Sequence, residues 1–490
     1  MIVLVLLLLA ADKPARFEAK KLAVDGEIAT VTPADFDGDG FPDLLVVHNK
    51  GKPRKPQRAL SMFWSQKGAF ATKPDLSFSV PDGACVYDVA DVDERKGSEV
   101  LLAGHGGVSA LSFRDRDNRV TTALTKDATL FVNADNNALP RVMMAQKISG
   151  QGTELLVPMP DALAIYRRGA DGWFSAGKID TAFAKVDLHR EWRGDLPTPH
   201  LGAFGLDIDF PDVHVADSNG DGLLDLIFND TDRVAIFQQA PGLNFAREPT
   251  FQREFAVTTD KEMDEGFTQT TTQVRDLDND GVVDILVTKQ VNQGITSGES
   301  TTYVFIGKPG GGYEAQATQT IKRDGIGGTV SQLIDLTGDG KPELLLPSVK
   351  MGILAIIRVL TSSTVKVNVE TFPFQDRKFG KAIAERTLTF KVSLSGKSDL
   401  QAIDLSGDYN GDRLKDLVLG GTGSELEIYP GLGKDKLVAE DALETIKVNG
   451  KGRVVPVDLD RKGKDDIVMF YPFTREERGV INVLYNRGPW

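Results

Sequence analysis

An acidic nine-residue loop recurs along this chain at near-regular intervals. Its fullest copy is Asp35-Phe-Asp37-Gly-Asp39-Gly40-Phe-Pro-Asp43. Close copies are Asp217-Ser-Asn219-Gly-Asp221-Gly222-Leu-Leu-Asp225 and Asp276-Leu-Asp278-Asn-Asp280-Gly281-Val-Val-Asp284. Oxygen-bearing side chains fall at positions 1, 3, 5 and 9 of the loop, with glycine at 6. A unit repeated at such spacing constrains the fold strongly, because each copy must bury its apolar surface against its neighbours.

The donor pattern points to calcium. Ca2+ is a hard cation that takes six to eight oxygens, and alternate residues of a tight loop aim their carboxylates at one centre. Glycine at position 6 supplies the positive φ of the curl. An EF-hand would close with a glutamate at position 12. Here that position is apolar (Val46, Phe228, Val287, Leu346, Leu419), so the acid at position 9 is expected to close the cage. Two looser copies keep the pattern. Asp335-Leu-Thr337-Gly-Asp339-Gly340-Lys-Pro-Glu343 has a hydroxyl at position 3, and Asp408-Tyr-Asn410-Gly-Asp412-Arg413-Leu-Lys-Asp416 has arginine where glycine is expected. The copies starting at Asp91 and Asp458 carry Arg95 and Lys462 at position 5, so a tethered cation is expected there in place of the ion. A third degenerate copy, Ile148–Glu154, keeps little beyond glycines and the final acid. Five loops therefore form the expected calcium set, with about three to five ions bound.

The acid at position 9 is followed each time by an apolar run: at Asp43, Glu99, Glu154, Asp225, Asp284, Glu343, Asp416 and Asp466. Short apolar runs bounded by turns read as strands buried on both faces. A second run rich in aromatic and β-branched residues follows most copies, as in Leu60–Trp64, Val234–Phe237 and Leu426–Tyr429. A more polar fourth strand is expected to start at Gly68–Lys73 and at Gly172-Trp-Phe174. Four antiparallel strands per unit make an all-β propeller of eight blades, or seven if the third copy is absorbed as an insertion. The last repeat stops near Tyr485, before its fourth strand, and Arg16–Val24 resembles that missing strand. The N-terminal strand is thus expected to close the ring, making 12–490 one propeller.

The Asp/Asn-x-Asp/Asn-x-Asp-Gly-x-x-Asp loops with their following apolar residues resemble the FG-GAP/VCBS repeat of integrin α-subunit propellers and of many secreted bacterial proteins. The resemblance covers nearly the whole mature chain. It implies a calcium-bearing propeller with an extracellular binding or adhesion role, and no particular partner.

The net charge of −13 argues against nucleic acid as a partner. Five bound divalent ions would reduce it to about −3, so the acidity reads as metal-binding capacity. Residues 1–11, Met-Ile-Val-Leu-Val-Leu-Leu-Leu-Leu-Ala-Ala, resemble a signal-peptide core and are too short to span a bilayer. Export to the periplasm, cell surface or medium is expected. Cys85 is the single cysteine, which rules out an intramolecular disulfide.

Two intervals are long. One, about 167–211, holds His189, Trp192, Arg193-Gly194-Asp195 and His200; the other, about 358–398, holds Phe372, Phe374 and Phe379. Loops of this kind carry function, and an exposed Trp192 beside arginine and histidine would suit a sugar or protein partner; the favoured expectation is that Trp192 packs an extra hairpin onto its own blade. The Arg-Gly-Asp tripeptide is too short to weigh. The five histidines lack zinc spacing, Gly307–Gly312 lacks the P-loop ending, and Gly421–Glu425 lacks the glycine that completes a nucleophile elbow. The leading expectation is an exported calcium-binding module for protein or carbohydrate, with the metal mainly structural. The alternative is a calcium-dependent polysaccharide lyase using His189, Arg193 or His200.

Overall fold

The computed structural model describes residues 16–488 except 53–54, 117, 133–138, 182–183, 191–203, 266, 294–296, 326–330, 351, 392–402, 421–424, 434–435 and 473. Eight four-stranded antiparallel sheets follow one another along the chain. Blade 1 comprises Glu27–Ala34, Asp43–Lys52, Lys55–Phe63 and Leu76–Ser79. Blades 2 to 7 span 84–123, 145–179, 212–254, 267–324, 332–391 and 403–447. Blade 8 takes three strands from 453–486 and its fourth from Phe17–Ala23. That strand pairs antiparallel with Val480–Asn486, from Phe17 opposite Asn486 to Ala23 opposite Val480. The first and last repeats are thereby locked in one sheet, and the degenerate third copy forms a blade of its own, so the propeller has eight blades.

The apolar run after each position-9 acid is the second strand of its blade. In blade 1, Leu44, Leu45 and Val46 are fully buried, because sheets on either side cover both faces. The cores lie at the seams. Leu44 and Val46 pack with Val468 and Ile481 between blades 8 and 1. Leu60 and Met62 pack with Val100 and Leu111 between blades 1 and 2, and the remaining six seams are filled in the same way. Each fully buried aliphatic side chain contributes about 1.5–3 kcal/mol, so stability is distributed around the ring rather than held in one centre.

Two expectations need correction. Gly68–Lys73 is not the fourth strand of blade 1, which is Leu76–Ser79; Phe70 mimics a strand start because its ring is buried in the seam of blades 8 and 1. The aromatics near 372–379 do not line an exposed insertion. Phe372 ends the third strand of blade 6, while Phe374 and Phe379 face each other across a small hairpin, ring centroids 4.9 Å apart, inside the seam of blades 5 and 6. The insertion in that blade lies earlier, as a helix, Ile353–Ser362, between its second and third strands. The interval at 167–211 completes blade 3 and then forms a separate hairpin, Lys185–Arg190 with Phe204–Asp209. His189 pairs with Gly205 there. The His189 side chain, and all of Trp192, Arg193, Gly194, Asp195 and His200, lie outside the described residues, as do 1–15 and 421–424.

Candidate functional site

Each acidic loop joins the first strand of its blade to the second, so all lie on one face of the ring. Their backbone is built by their own carboxylates. In the first loop Asp35 accepts Gly38 N–H (2.7 Å) and Gly40 N–H (2.9 Å). Asp37 accepts Asp39 N–H at 2.9 Å, and Asp39 accepts Phe41 N–H at 2.9 Å. Asp217, Asp276, Asp335 and Asp408 repeat the first pair of bonds. Two positions of each loop need positive φ. Position 6 is Gly40 in the first loop, and Arg413 adopts the same region with φ 72°. Position 4, which the motif reading missed, is Gly38 in one loop and Asn279 in another (φ 82° and 61°).

The acid at position 9 does different work. It is buried in every blade and bridges backbone. Asp43 accepts Phe36 N–H at 3.0 Å and Ser65 N–H at 2.7 Å. Asp284 accepts Leu277 N–H at 3.0 Å and Gly307 N–H at 2.9 Å. Asp225, Asp416 and Asp466 make the same two bonds to the loop and to the end of the third strand. Glu99, Glu154 and Glu343 hold the loop end. Burial, opposed by these backbone donors, pushes the Asp43 and Asp284 carboxyls up to about 7, and Asp416 and Asp466 up to about 6.

The loops also staple neighbouring blades. Ser98 N–H donates to Asp35 O (2.7 Å), Val283 N–H to Asp217 O (3.0 Å) and Asp465 N–H to Asp408 O (2.9 Å). Each joins position 8 of one loop to position 1 of the loop before it. Arg461 of blade 8 reaches Gly40 O of blade 1 at 2.9 Å, continuing the chain of loops across the closing seam.

The oxygens converge in three loops among the described residues. Single oxygens of Asp35, Asp37 and Asp39 lie within 4.8 Å of one another, as do those of Asp91, Asp93 and Glu99, and those of Asp276, Asp278 and Asp284. All-oxygen sets of this size fit a hard divalent cation. What faces them differs. Arg114 donates to both Asp93 and Glu99 at 2.5 Å, so the cluster of blade 2 contains a fixed cation. Arg116 of blade 2 crosses the seam to pair with Asp37, and with Asp39 at 2.9 Å. Arg377 stands further off, 3.6 Å from Asp278 and 3.8 Å from Asp280. In the loop at Asp458, Lys462 pairs with Asp460 at 2.6 Å. Asn219 and Asn410 turn their amides onto Asp221 (3.0 Å) and Asp412 (2.8 Å). Thr337 donates to Glu343 at 3.1 Å. Arg95, expected to be the tethered cation of its loop, leaves that place to Arg114.

A cleft of about 440 Å³ opens at the seam of blades 2 and 3. Its walls include Arg95, Arg168, Asn118, Ser112, Val120 and Trp173. Trp173 is half-buried against the seam core. Arg168, opposite it in the strand register, donates to Asp93 O. A planar apolar surface thus sits beside several N–H donors.

Residues 276–346 match the model of the FG-GAP-like repeat. That stretch runs from the acidic loop of blade 5 to the position-12 leucine of the next loop. That stretch of the chain is an FG-GAP-like repeat. No curated protein matches its sequence. Among solved structures, an Agrocybe aegerita lectin that recognises non-reducing terminal N-acetylglucosamine shares 13% identity, with 96% of this chain and 95% of that one covered and a TM-score of 0.39. The Dos1 propeller shares 8%, with coverage of 96% and 95% and a TM-score of 0.40. The V. cholerae biofilm matrix protein Bap1 shares 12%, with coverage of 96% and 89% and a TM-score of 0.33. At TM-scores below 0.5 these likenesses say nothing of a common ligand.

In this propeller the motif marks the loops but not what neutralises them. Arg114 and Arg116 come from the third strand of blade 2 and the turn after it, and neither position is distinguishable in sequence from any other surface arginine. The cleft at Trp173 was equally hidden, because its walls come from two blades.

Proposed function

We propose that this FG-GAP-like propeller is an exported binding module for a carbohydrate ligand, braced on one face by calcium. The observation that carries the metal reading is the convergence of Asp276, Asp278 and Asp284 oxygens within 4.8 Å, in a loop whose ion-pair partner among the described residues, Arg377, stays 3.6 Å from Asp278 and 3.8 Å from Asp280. In that loop calcium would be held by Asp276, Asp278, Asp280 and Asp284. Corresponding sets are Asp217, Asn219, Asp221 and Asp225; Asp335, Thr337, Asp339 and Glu343; and Asp408, Asn410, Asp412 and Asp416. In the loop of Asp35, Asp37, Asp39 and Asp43, an ion takes the place of the Arg116 guanidinium. The ion's role is structural: it neutralises carboxylates in loops that join adjacent blades. The ligand reading rests on the cleft of blades 2 and 3, where Trp173 offers a stacking face for a sugar ring and Arg95, Arg168 and Asn118 offer donors to its oxygens. Glycan-array binding in calcium tests this. Retention of specific glycans that Trp173→Ala abolishes is expected; array binding unaffected by that substitution, or none at all, contradicts it.

A further inference from the structure

The seam of blades 4 and 5 holds a polar recess at the end away from the acidic loops. In blade 4 the first strand, Asp212–Ala216, pairs with the second so that Ala216 stands opposite Asp225 at the loop end and Asp212 opposite Asn229 at the other. Alternate residues of a strand share a face. Asn229 therefore points the same way as Ile227, which is packed in the core of this seam. In blade 5, Thr270 and Thr272 point the same way as Val274, which packs against that core from the other side. The two polar sets meet at a recess of about 400 Å³, whose lining also includes the exposed Asp212 and an apolar edge of Phe210 and Pro211.

Asn229 is 5% exposed, and its Oδ1 is buried without a hydrogen-bond partner among the described residues. On the same face, His214 Nε2 is a second buried atom without a partner. Buried polar atoms of folded proteins are nearly always paired, so Asn229 Oδ1 is an acceptor that calls for a donor. The lining has few donors to give. Thr231 donates to Asp230 at 3.1 Å, Thr272 donates to Thr231 O, and Gln273 Nε2 donates to Ser331 O at 2.9 Å. No lysine or arginine is among the described lining residues. The cations close by are paired, Arg233 with Asp230 and Lys289 with Glu262 at 2.7 Å. Asp212 has no ion-pair partner among the described residues.

We propose that this recess binds the primary ammonium group of a small organic molecule, held by Asn229 Oδ1 and the Asp212 carboxylate. An ammonium carries donors only, together with a positive charge, and so matches a lining rich in acceptors and free of unpaired cations. A sugar hydroxyl seeks donors as well as acceptors and suits the lining less. A bare metal ion would leave most of the volume and the edge of Phe210 and Pro211 unused, whereas an organic cation brings a carbon skeleton to meet them. The recess is separate from the cleft of blades 2 and 3 and does not rest on the carbohydrate reading of that cleft.

Saturation-transfer NMR on the full chain tests the proposal, in excess calcium so that amines do not occupy the acidic loops. The probes are glucosamine and the amide of Nα-acetyl-lysine, each compared with its N-acetylated, uncharged form. The amines are expected to bind at least about tenfold more tightly than the uncharged forms, and the tighter of the two tells whether a saccharide or a lysine side chain is the source. Asp212→Asn and Asn229→Leu should each weaken amine binding by about tenfold. Asn229→Leu replaces a polar atom that lacks a partner, so its melting temperature without amine should not fall; should it fall, the exposed Asp212→Asn decides. Asp278→Asn and Trp173→Ala should bind the amines as wild type does. No amine binding, equal affinity for the uncharged forms, binding unmoved in Asp212→Asn, or binding lost in Asp278→Asn overturns the proposal.

Discussion

The loops of blades 2 and 5 hold nearly the same carboxylates yet are neutralised differently. Asp91, Asp93 and Glu99 enclose the guanidinium of Arg114, whereas Asp276, Asp278 and Asp284 converge with Arg377 standing off at 3.6 Å or more. The backbone scaffold is common to both: the position-9 acid holds the loop through position 2 (Val92 or Leu277). On the calcium reading proposed above, the chain supplies the balancing charge covalently in one loop and leaves it to an ion in the other. The buried acid is common to all eight blades, and the cation would be the interchangeable part.

The largest effect should come from breaking what the two loops share. Asp284→Ala leaves buried Leu277 and Gly307 N–H groups without an acceptor and is expected to cost about 3 kcal/mol or more in chemical denaturation. Glu99→Ala should cost a similar amount; a loss confined to Asp284 would mean that the acid acts mainly through a metal. Chelation comes next. EDTA should lower the melting temperature of the wild type, since ions bound to the folded state alone stabilise it by about 2.7 kcal/mol per site at a hundredfold excess over Kd. Asp278→Asn should remove part of that shift, and a substitution at Asp93 should remove none.

Arg114→Gln sharpens the comparison further. It should convert the blade 2 loop into a calcium loop, gaining one ion by native mass spectrometry while losing about 1–3 kcal/mol when no calcium is present. No gained ion would show that Arg114 is more than a substitute cation. The smallest effect is that of pH. Burial raises Asp284 and Asp43 to about 7, above an ordinary aspartate at 3.8. A raised carboxyl pKa favours the folded state below the unfolded value, and the contribution fades as pH rises through about 7. In EDTA these two groups should therefore add stability as pH falls from 8 toward 4. In excess calcium their trend should reverse, because protons compete with the ion. Melting curves with and without calcium across that range check the sign.

The architecture was legible because its signals are local. An acid followed by three apolar residues marks the second strand of each blade, and Arg16–Val24 carries a strand pattern that only the last repeat lacks. Glu154 kept that acid, so even the poorest copy forms a blade. The site was legible only in part. Positive φ at position 4 is adopted by Asn279, Glu94 and Arg461, residues that do not announce it as glycine does. The guanidinium of Arg116 meets Asp37 only after two blades pack. The helix at 353–362 is an apolar run as short as a strand and flanked by Gly352, so periodicity alone could not separate the two. Phe374 and Phe379 read as an exposed insertion because length was visible and burial was not.

The most direct test of the central claim is a calcium count. EDTA-stripped protein titrated with calcium and followed by native mass spectrometry should take up roughly three to five ions, with a parallel rise in melting temperature and one ion fewer in Asp278→Asn. A folded chain that binds none, or one whose melting is unmoved by the ions it binds, would contradict the account of loops braced by exchangeable cations.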